Sequence, residues 1–362
     1  MKKLLIIISL VLYSAAFSGI AFSDNTISYR NAKTLGMGDA KVAGGFGYNG
    51  FIDNPALLAR TPFLRISILN LPITANKNVV DIGNFINDNK DKFQNYDKLT
   101  LPEKETFIKD LQKYDSKWGK MNVSPMIDVS VNVAGYAVGL AVFNNLDFGL
   151  KMDRGIYEPR VWGEGFNNTA AVLGFAKPLS MFVPGLTVGA NLKYMERRHA
   201  NLFQIAAHDL GNMQDTTQPI IDQAKKSTQK VYAMDIGGIY DLPLIGSEVA
   251  ATYQSLGDGR SSSLDLGIAK RMYSNNLILL ADYVDFFDNN KENVFKKLHL
   301  GAEYKYLFLA VRAGINAGYP TAGLGLDFKI IDIDAAYFSD ELTKGPGGEA
   351  EKRYAVQMKI GW

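Results

Sequence analysis

From Tyr354 to Trp362 the chain alternates without interruption. Tyr354, Val356, Met358, Ile360 and Trp362 are large and apolar, while Ala355, Gln357, Lys359 and Gly361 between them are small or polar. Successive side chains of an extended strand point to opposite faces, so this segment has one greasy face and one wet face. A soluble sheet can show that pattern once; here it recurs along most of the chain. Ile127, Val129, Val131 and Val133 oppose Asp128, Ser130 and Asn132. Leu324, Leu326 and Phe328 oppose Gly323, Gly325, Asp327 and Lys329, and Ile331, Ile333 and Ala335 oppose Asp332 and Asp334. A barrel with hydrocarbon outside and water inside reads this way.

Cut into segments of about ten residues, the length a tilted membrane strand needs, the chain yields fourteen antiparallel strands. They fall near 63–71, 124–133, 135–144, 168–176, 186–197, 230–240, 247–255, 264–272, 276–285, 297–305, 307–315, 322–330, 331–339 and 352–362. Connections after odd strands are long, such as 72–123, 145–167 and 198–229, and those after even strands shrink to Gly135 or Lys305-Tyr306. A β-sandwich has no reason to sort loop length by strand parity, whereas an outer-membrane barrel does. Parity places both ends of 63–362 in the periplasm and the large insertions, 76–122 and 199–229, outside the cell. The expected fold is therefore an all-β transmembrane barrel in a bacterial outer membrane.

Residues 1–23 read as a secretory signal peptide: Met1-Lys2-Lys3, an apolar core from Leu4 to Leu12, and Ala21-Phe22-Ser23 before Asp24. Removing Lys2 and Lys3 leaves the basic residues balanced against 37 acidic ones. There is no basic stripe of the kind nucleic-acid binding requires. The chain has no cysteine, which removes disulfides, thiolate metal sites and cysteine nucleophiles together. After the leader no apolar run approaches the roughly 18 residues of a membrane helix.

The insertions read as helical. Val79, Ile82, Phe85 and Ile86 recur at helical spacing, and Thr100-Leu-Pro-Glu103 has the form of a capping box ahead of Phe107, Ile108 and Leu111. In the second insertion Leu202, Ile205, Ala206 and Leu210 form one stripe, and Pro219 opens another with Ile220, Ile221 and Ala224. Stripes this narrow pack onto a barrel rim more readily than they bind a ligand.

Residues 24–62 are not strand-like. Gly36, Met37 and Gly38 lie in Asn31-Ala-Lys-Thr-Leu-Gly-Met-Gly-Asp-Ala40, where the glycines permit close backbone approach. Asp53 or Asn54 can cap a short helix that begins with Pro55 and Ala56. No Gly-Lys-Ser/Thr follows, so this is not a phosphate loop. On a barrel too wide for side chains to fill, the segment is most simply a plug in the lumen, with Gly36, Met37, Gly38, Asp53, Asn54, Pro55 and Ala56 expected to gate the passage.

Leu35-Gly-Met-Gly-Asp-Ala40 followed by Asp53-Asn-Pro-Ala-Leu-Leu58 resembles the N-terminal hatch of FadL-type outer-membrane transporters of long-chain fatty acids and other hydrophobic compounds. The stretches Leu298–Tyr304, Arg312–Ile315 and Gly318–Leu326 are similar to FadL-like barrels of the PorV and plasmid-transfer TraF-like branches. The resemblance implies a fourteen-stranded barrel, a lumenal hatch, a hydrophobic small-molecule ligand, and lateral escape of that ligand into the membrane lipid through a wall gap. It needs no cofactor. The PorV and TraF-like branches imply an alternative, a secretion or assembly barrel with a protein partner at its outer loops. The terminal strand with Trp362 resembles the signal read by the barrel-assembly machinery.

Catalytic chemistry finds little support. His199 and His208 lack metal-ligand spacing, and His299 stands on a polar strand face with no serine motif beside it, so an outer-membrane lipase is the weakest reading. Asp332 and Asp334 share a face near Asp327 and Lys329. An inward polar ladder explains the four better than a calcium site. Arg197-Arg198 fits an interfacial charge or a contact to lipopolysaccharide phosphate equally.

Overall fold

Alternation of this kind closes into a ring in the computed structural model, which describes residues 29–44, 50–115, 117–155, 158–206, 228–258, 262–289, 293–342 and 349–362. The expected signal peptide lies outside the described residues. The strands are β1 (Leu64–Asn76), β2 (Trp118–Val123), β3 (Met126–Val133), β4 (Tyr136–Asp153), β5 (Arg160–Pro178), β6 (Leu186–Ala206), β7 (Gln229–Leu242) and β8 (Ser247–Leu256). They continue with β9 (Ser263–Met272), β10 (Leu277–Tyr283), β11 (Leu298–Tyr306), β12 (Leu309–Asn316), β13 (Tyr319–Asp327), β14 (Ile331–Glu341) and β15 (Ala350–Gly361). Each pairs antiparallel with its neighbours, and β15 returns to β1 with Val356 opposite Ile73 and Met358 opposite Leu71. Strands β2 and β3 share one place in the wall, both lying between β1 and β4. The wall therefore has fourteen positions and no free edge, the closure that hydrocarbon demands of a spanning sheet.

The two faces separate as the alternation requires. Tyr354 and Val356 are 54% and 55% exposed, whereas Ala355 and Gln357 are 1% and 3%. Outward aromatic pairs mark both ends of the apolar band. Tyr194 meets Tyr232 at 5.2 Å and Tyr337 meets Tyr354 at 5.6 Å toward the long loops, while Phe308 stacks on Phe328 at 5.8 Å beside the tight turns. Girdles of this kind sit where hydrocarbon meets headgroups. No helix among the described residues is long and apolar enough to cross a membrane.

Two short helices precede the barrel, α1 (Ala32–Leu35) and α2 (Gly50–Asp53), and three follow β1: α3 (Lys77–Asp88), α4 (Lys90–Gln94) and α5 (Leu101–Leu111). Asn76 caps α3 by accepting from the Val79 N–H at 3.1 Å, and Glu103 accepts from the Thr100 N–H at 2.8 Å as the capping box requires. Ile82, Phe85, Phe93, Tyr96, Phe107 and Leu111 bury together with Met152 of β4. Each such side chain contributes roughly 1.5–3 kcal/mol on burial, so the insertion's apolar stripes are spent on its own core.

Several boundaries depart from expectation. β4 runs on to Asp153 and β5 begins at Arg160, so the connection expected over 145–167 shrinks to 154–159. β1 runs on to Asn76 and β2 begins at Trp118, shrinking the first insertion. The wall position expected over 124–133 is interrupted at Ser124-Pro125. Residues 199–206 extend β6 instead of starting a helix, because β5 reaches back to Arg160 and offers a ladder in which Ile205 sits opposite Val161. The rest of that expected helical insertion, Leu210 and 219–224 included, lies outside the described residues. Finally, β13 ends at Asp327, so Lys329 falls in an exposed turn.

Candidate functional site: the N-terminal segment and the inner wall

The segment from Tyr29 to Arg60 touches the inner face of the wall around most of the ring. At one side Ala32 and Leu35 of α1 pack on Ala336, Phe338 and Ala355, and the Ala32 N–H donates to Gln357 Oε1 at 2.7 Å. Met37 is fully buried in a cluster with Val42, Leu57, Ile239, Ile278 and Leu280. The Gly38 N–H donates to Thr321 Oγ1 at 2.9 Å, and its carbonyl lies 2.8 Å from His299 Nδ1. The histidine suspected of catalysis thus holds backbone. His199's side chain and all of His208 lie outside the described residues.

Farther along, Asp282 accepts from the Val42 N–H at 2.8 Å and from the Lys41 N–H. Asn54 performs the expected cap. Its Oδ1 accepts from the Ala56 N–H at 3.0 Å, and its Nδ2 donates to the Val42 carbonyl at 2.9 Å, tying the two halves of the segment together. Pro55 follows as the first residue of a 3-10 turn, Pro55–Arg60. Asp53 lies 3.8 Å from Lys41 Nζ. Burial pushes the Asp53 carboxyl up to about 6, a rise that Lys41 only partly offsets. At the tight-turn end Arg60 pairs with Asp241 at 2.8 Å and Glu248 at 2.6 Å.

The wall is shaped for this segment by inward glycines on successive strands. A Cβ at Gly189 would stand 2.5 Å from the Pro55 carbonyl carbon, one at Gly267 would stand 2.8 Å from Val42 Cβ, and Gly36 and Gly323 are similarly face to face. Gly301 and Gly314 meet the backbone of Met37 and Gly38, where the positive φ of Gly38 (68°) also excludes a side chain. Glycine inside a strand marks a close backbone approach.

Of the polar ladder, Asp334 belongs to a buried network. Arg312 donates to Asp334 at 2.6 Å and to Glu303 at 2.6 Å, and Lys33 of α1 lies 3.4 Å from Glu303. Asp332 pairs with Lys359 across the β14–β15 ladder. Asp327 pairs with Lys305 at the exposed end of its strand, and Lys329 is outside the ladder altogether. No cluster of three metal-ligating side chains occurs among the described residues.

One of the wall's irregularities lies where β1, β2, β3 and β4 meet. Ser124-Pro125 separates β2 from β3, and β1 shifts register between Ser67 and Asn70. Proline supplies no ladder N–H, so the ladder thins on the β1 side. The Ser124 N–H still donates to the Pro72 carbonyl at 3.1 Å, and the Pro125 carbonyl accepts from the Asn144 N–H at 3.0 Å. A cavity of about 230 Å³ opens at the gap, lined by Leu69, Pro125, Met126, Ile127, Val142 and Phe143 among others. Directly behind it, Tyr29 sets its ring edge-on to Phe143 at 5.6 Å and points its hydroxyl at the Asn70 carbonyl, 3.5 Å away. Nothing in the residue pattern singles out Tyr29, which precedes the motif-bearing part of the segment.

No family model matches the chain, and no curated protein matches it. Solved structures do. The toluene transporter TodX of Pseudomonas putida superposes with a TM-score of 0.54 at 12% identity, covering 92% of this chain and 98% of the other. A monoaromatic hydrocarbon channel described as the TodX deltaS2S3 mutant gives the same values, and the TodX deltaS2 mutant gives 0.53 at 13% identity over 92% and 97%. Covering nearly the full length of both chains, these likenesses show that the chain has the fold of the TodX barrel, the architecture implied by its resemblance to FadL-type transporters.

Proposed function

We propose that the protein is an outer-membrane channel for small hydrophobic molecules, with the N-terminal segment as a plug across the bore and the gap at Ser124-Pro125 as the lateral exit. The observation that carries this reading is an apolar cavity placed at the one break between β2 and β3, with a plug residue, Tyr29, behind it. An apolar solute gains by leaving water for hydrocarbon at about 25 cal/mol per Å², so diffusion through such a gap needs no energy source and makes no bonds. TodX, whose fold the chain shares, is a toluene transporter. The glycine seat argues that the plug stays in place and that solutes pass around it. Its role is to deny water and hydrophilic solutes a straight path. Outward residues Tyr354, Val356, Met358, Ile360 and Trp362 are proposed as the strand recognised by the barrel-assembly machinery.

The test is permeation in proteoliposomes. Protein-dependent flux of a monoaromatic or fatty-acid probe is expected, and closing the gap with Pro125→Val together with Leu69→Trp should abolish it. Undiminished flux in that variant removes the lateral route.

A second reading, a secretion or assembly component, draws on the tight-turn rim, where Met181, Phe182 and Leu244 are 95%, 81% and 99% exposed. Site-specific crosslinking from Phe182 in cells that recovers a stoichiometric protein partner would favour it over transport.

A further inference from the structure

We propose that the outer wall across β7 to β11 holds one hydrocarbon chain of an outer-membrane lipid in a fixed groove, independently of any transport. A cavity of about 670 Å³ lies on that face, with Gly238, Ala251 and Ala281 as its floor and Tyr240, Tyr283 and Leu298 among its walls. These residues face outward. Gly237 points inward at Asn54, so its neighbour Gly238 points out, and cross-strand pairing carries the same face through Ala251, Leu266, Tyr283 and Leu298. The depression exists because the floor lacks side chains. A Cβ placed on Gly238 meets only the Thr187 carbonyl oxygen, at 3.7 Å. On β14 and β15 the equivalent outward pairs are bulkier, with Ile333 opposite Met358 and Ala335 opposite Val356.

The groove does not lead into the bore. Behind it Gly267 is backed by Val42 and Ala43 of the N-terminal segment, so the groove opens outward only. It also lies away from the Ser124-Pro125 gap, on strands that do not border it.

Continuity with the apolar band says what fills the groove. Strand β10 has 7 residues. At about 3.4 Å per residue, and tilted, it falls short of the roughly 25 Å band such barrels present to hydrocarbon. The connection that follows makes up the height. Tyr283 meets Phe286 edge to face at 6.2 Å, and Phe286, Phe287, Val294 and Phe295 are more than half exposed. The groove therefore sits inside the hydrocarbon layer with aromatic side chains above it, and its neighbour there is an acyl chain. A rigid wall of small residues flanked by two tyrosines immobilises one chain in a way that a flat wall does not.

Native mass spectrometry of the full-length protein, extracted in mild detergent, tests this. Wild type should retain one phospholipid or lipopolysaccharide per barrel, and the adduct mass separates those two sources. Gly238→Leu with Ala251→Leu should cut the retained fraction at least tenfold, as should Ala281→Leu made separately in case the double variant assembles poorly. Ala313→Leu, on the outward face of β12, should leave it unchanged. Heat-modifiable migration on gels establishes that each variant is folded. Absence of a retained lipid in wild type overturns the proposal, as does equal retention in the folded groove variants. So does a wild-type dimer that these substitutions convert to monomer, which would make the groove a contact between two copies.

Discussion

The side-chain carbonyl of Asn54 stands where a Cβ on Gly237 would have to be. Neither residue alone explains the other. Asn54 caps the turn that starts at Pro55 and holds the Val42 carbonyl, and it can do so at this place only because the β7 wall is bare. Gly237→Val should therefore displace the 50–60 portion of the segment while the ladder between β6 and β8 survives. The expected outcome is a barrel that still shifts on unboiled gels, is less stable by about 1–3 kcal/mol through overpacking, and leaks small hydrophilic solutes. Thermal denaturation with a sugar-efflux assay checks it.

Tyr29→Ala removes the ring behind the wall gap and leaves the glycine seat untouched. Flux of an apolar aromatic probe should rise several-fold with no change in sugar leakage. Equal increases of both solutes would place Tyr29 in the seal of the bore and not at the exit.

Arg312→Leu leaves Glu303 and Asp334 buried without their shared cation. Removing one partner of a buried pair costs about 3–5 kcal/mol. Arg312→Leu combined with Glu303→Leu, Asp334→Leu and Lys33→Met, the last because Lys33 also pairs with Glu303, should recover most of that loss, which guanidinium unfolding of the refolded barrel can measure.

The Asp53 carboxyl gives the segment a pH response. Its value in the fold, about 6, lies above the ordinary carboxylate value of about 3.9, so the folded protein binds this proton more tightly than the unfolded chain does. The associated stability is fully present below the unfolded value and is lost as pH rises through about 6. Amides of residues 50–60 should exchange faster at pH 7.5 than at pH 5 after correction for intrinsic rates. Asp53→Asn, which mimics the protonated form, should abolish the difference.

Much of the barrel is legible from the chain because period-two alternation is a direct consequence of lipid on one side. The segments from 230 to 339 fall within a few residues of β7 to β14, apart from the end of β13. Lys329 lies beyond β13 because Phe328 continues the apolar beat one residue past the last paired residue, Asp327. The stripe at Leu202, Ile205 and Ala206 suits a helix or a strand, and only the partner supplied by β5 decides between them. The close approach at Gly36 and Gly38 and the Asn54 cap follow from glycine and an Asn-Pro-Ala sequence, whereas their partners on the wall do not. A glycine seat spread over many strands, and a tyrosine behind a wall gap, become visible only when the ring has closed.

Paired permeation of two solutes into liposomes bearing the wild-type protein, one small and aromatic and one a sugar of similar size, tests the central claim most directly. Rapid entry of the aromatic probe with sugar entry no faster than in protein-free liposomes is the predicted result. Equal entry of both would mean that the bore is open to water, and would contradict it.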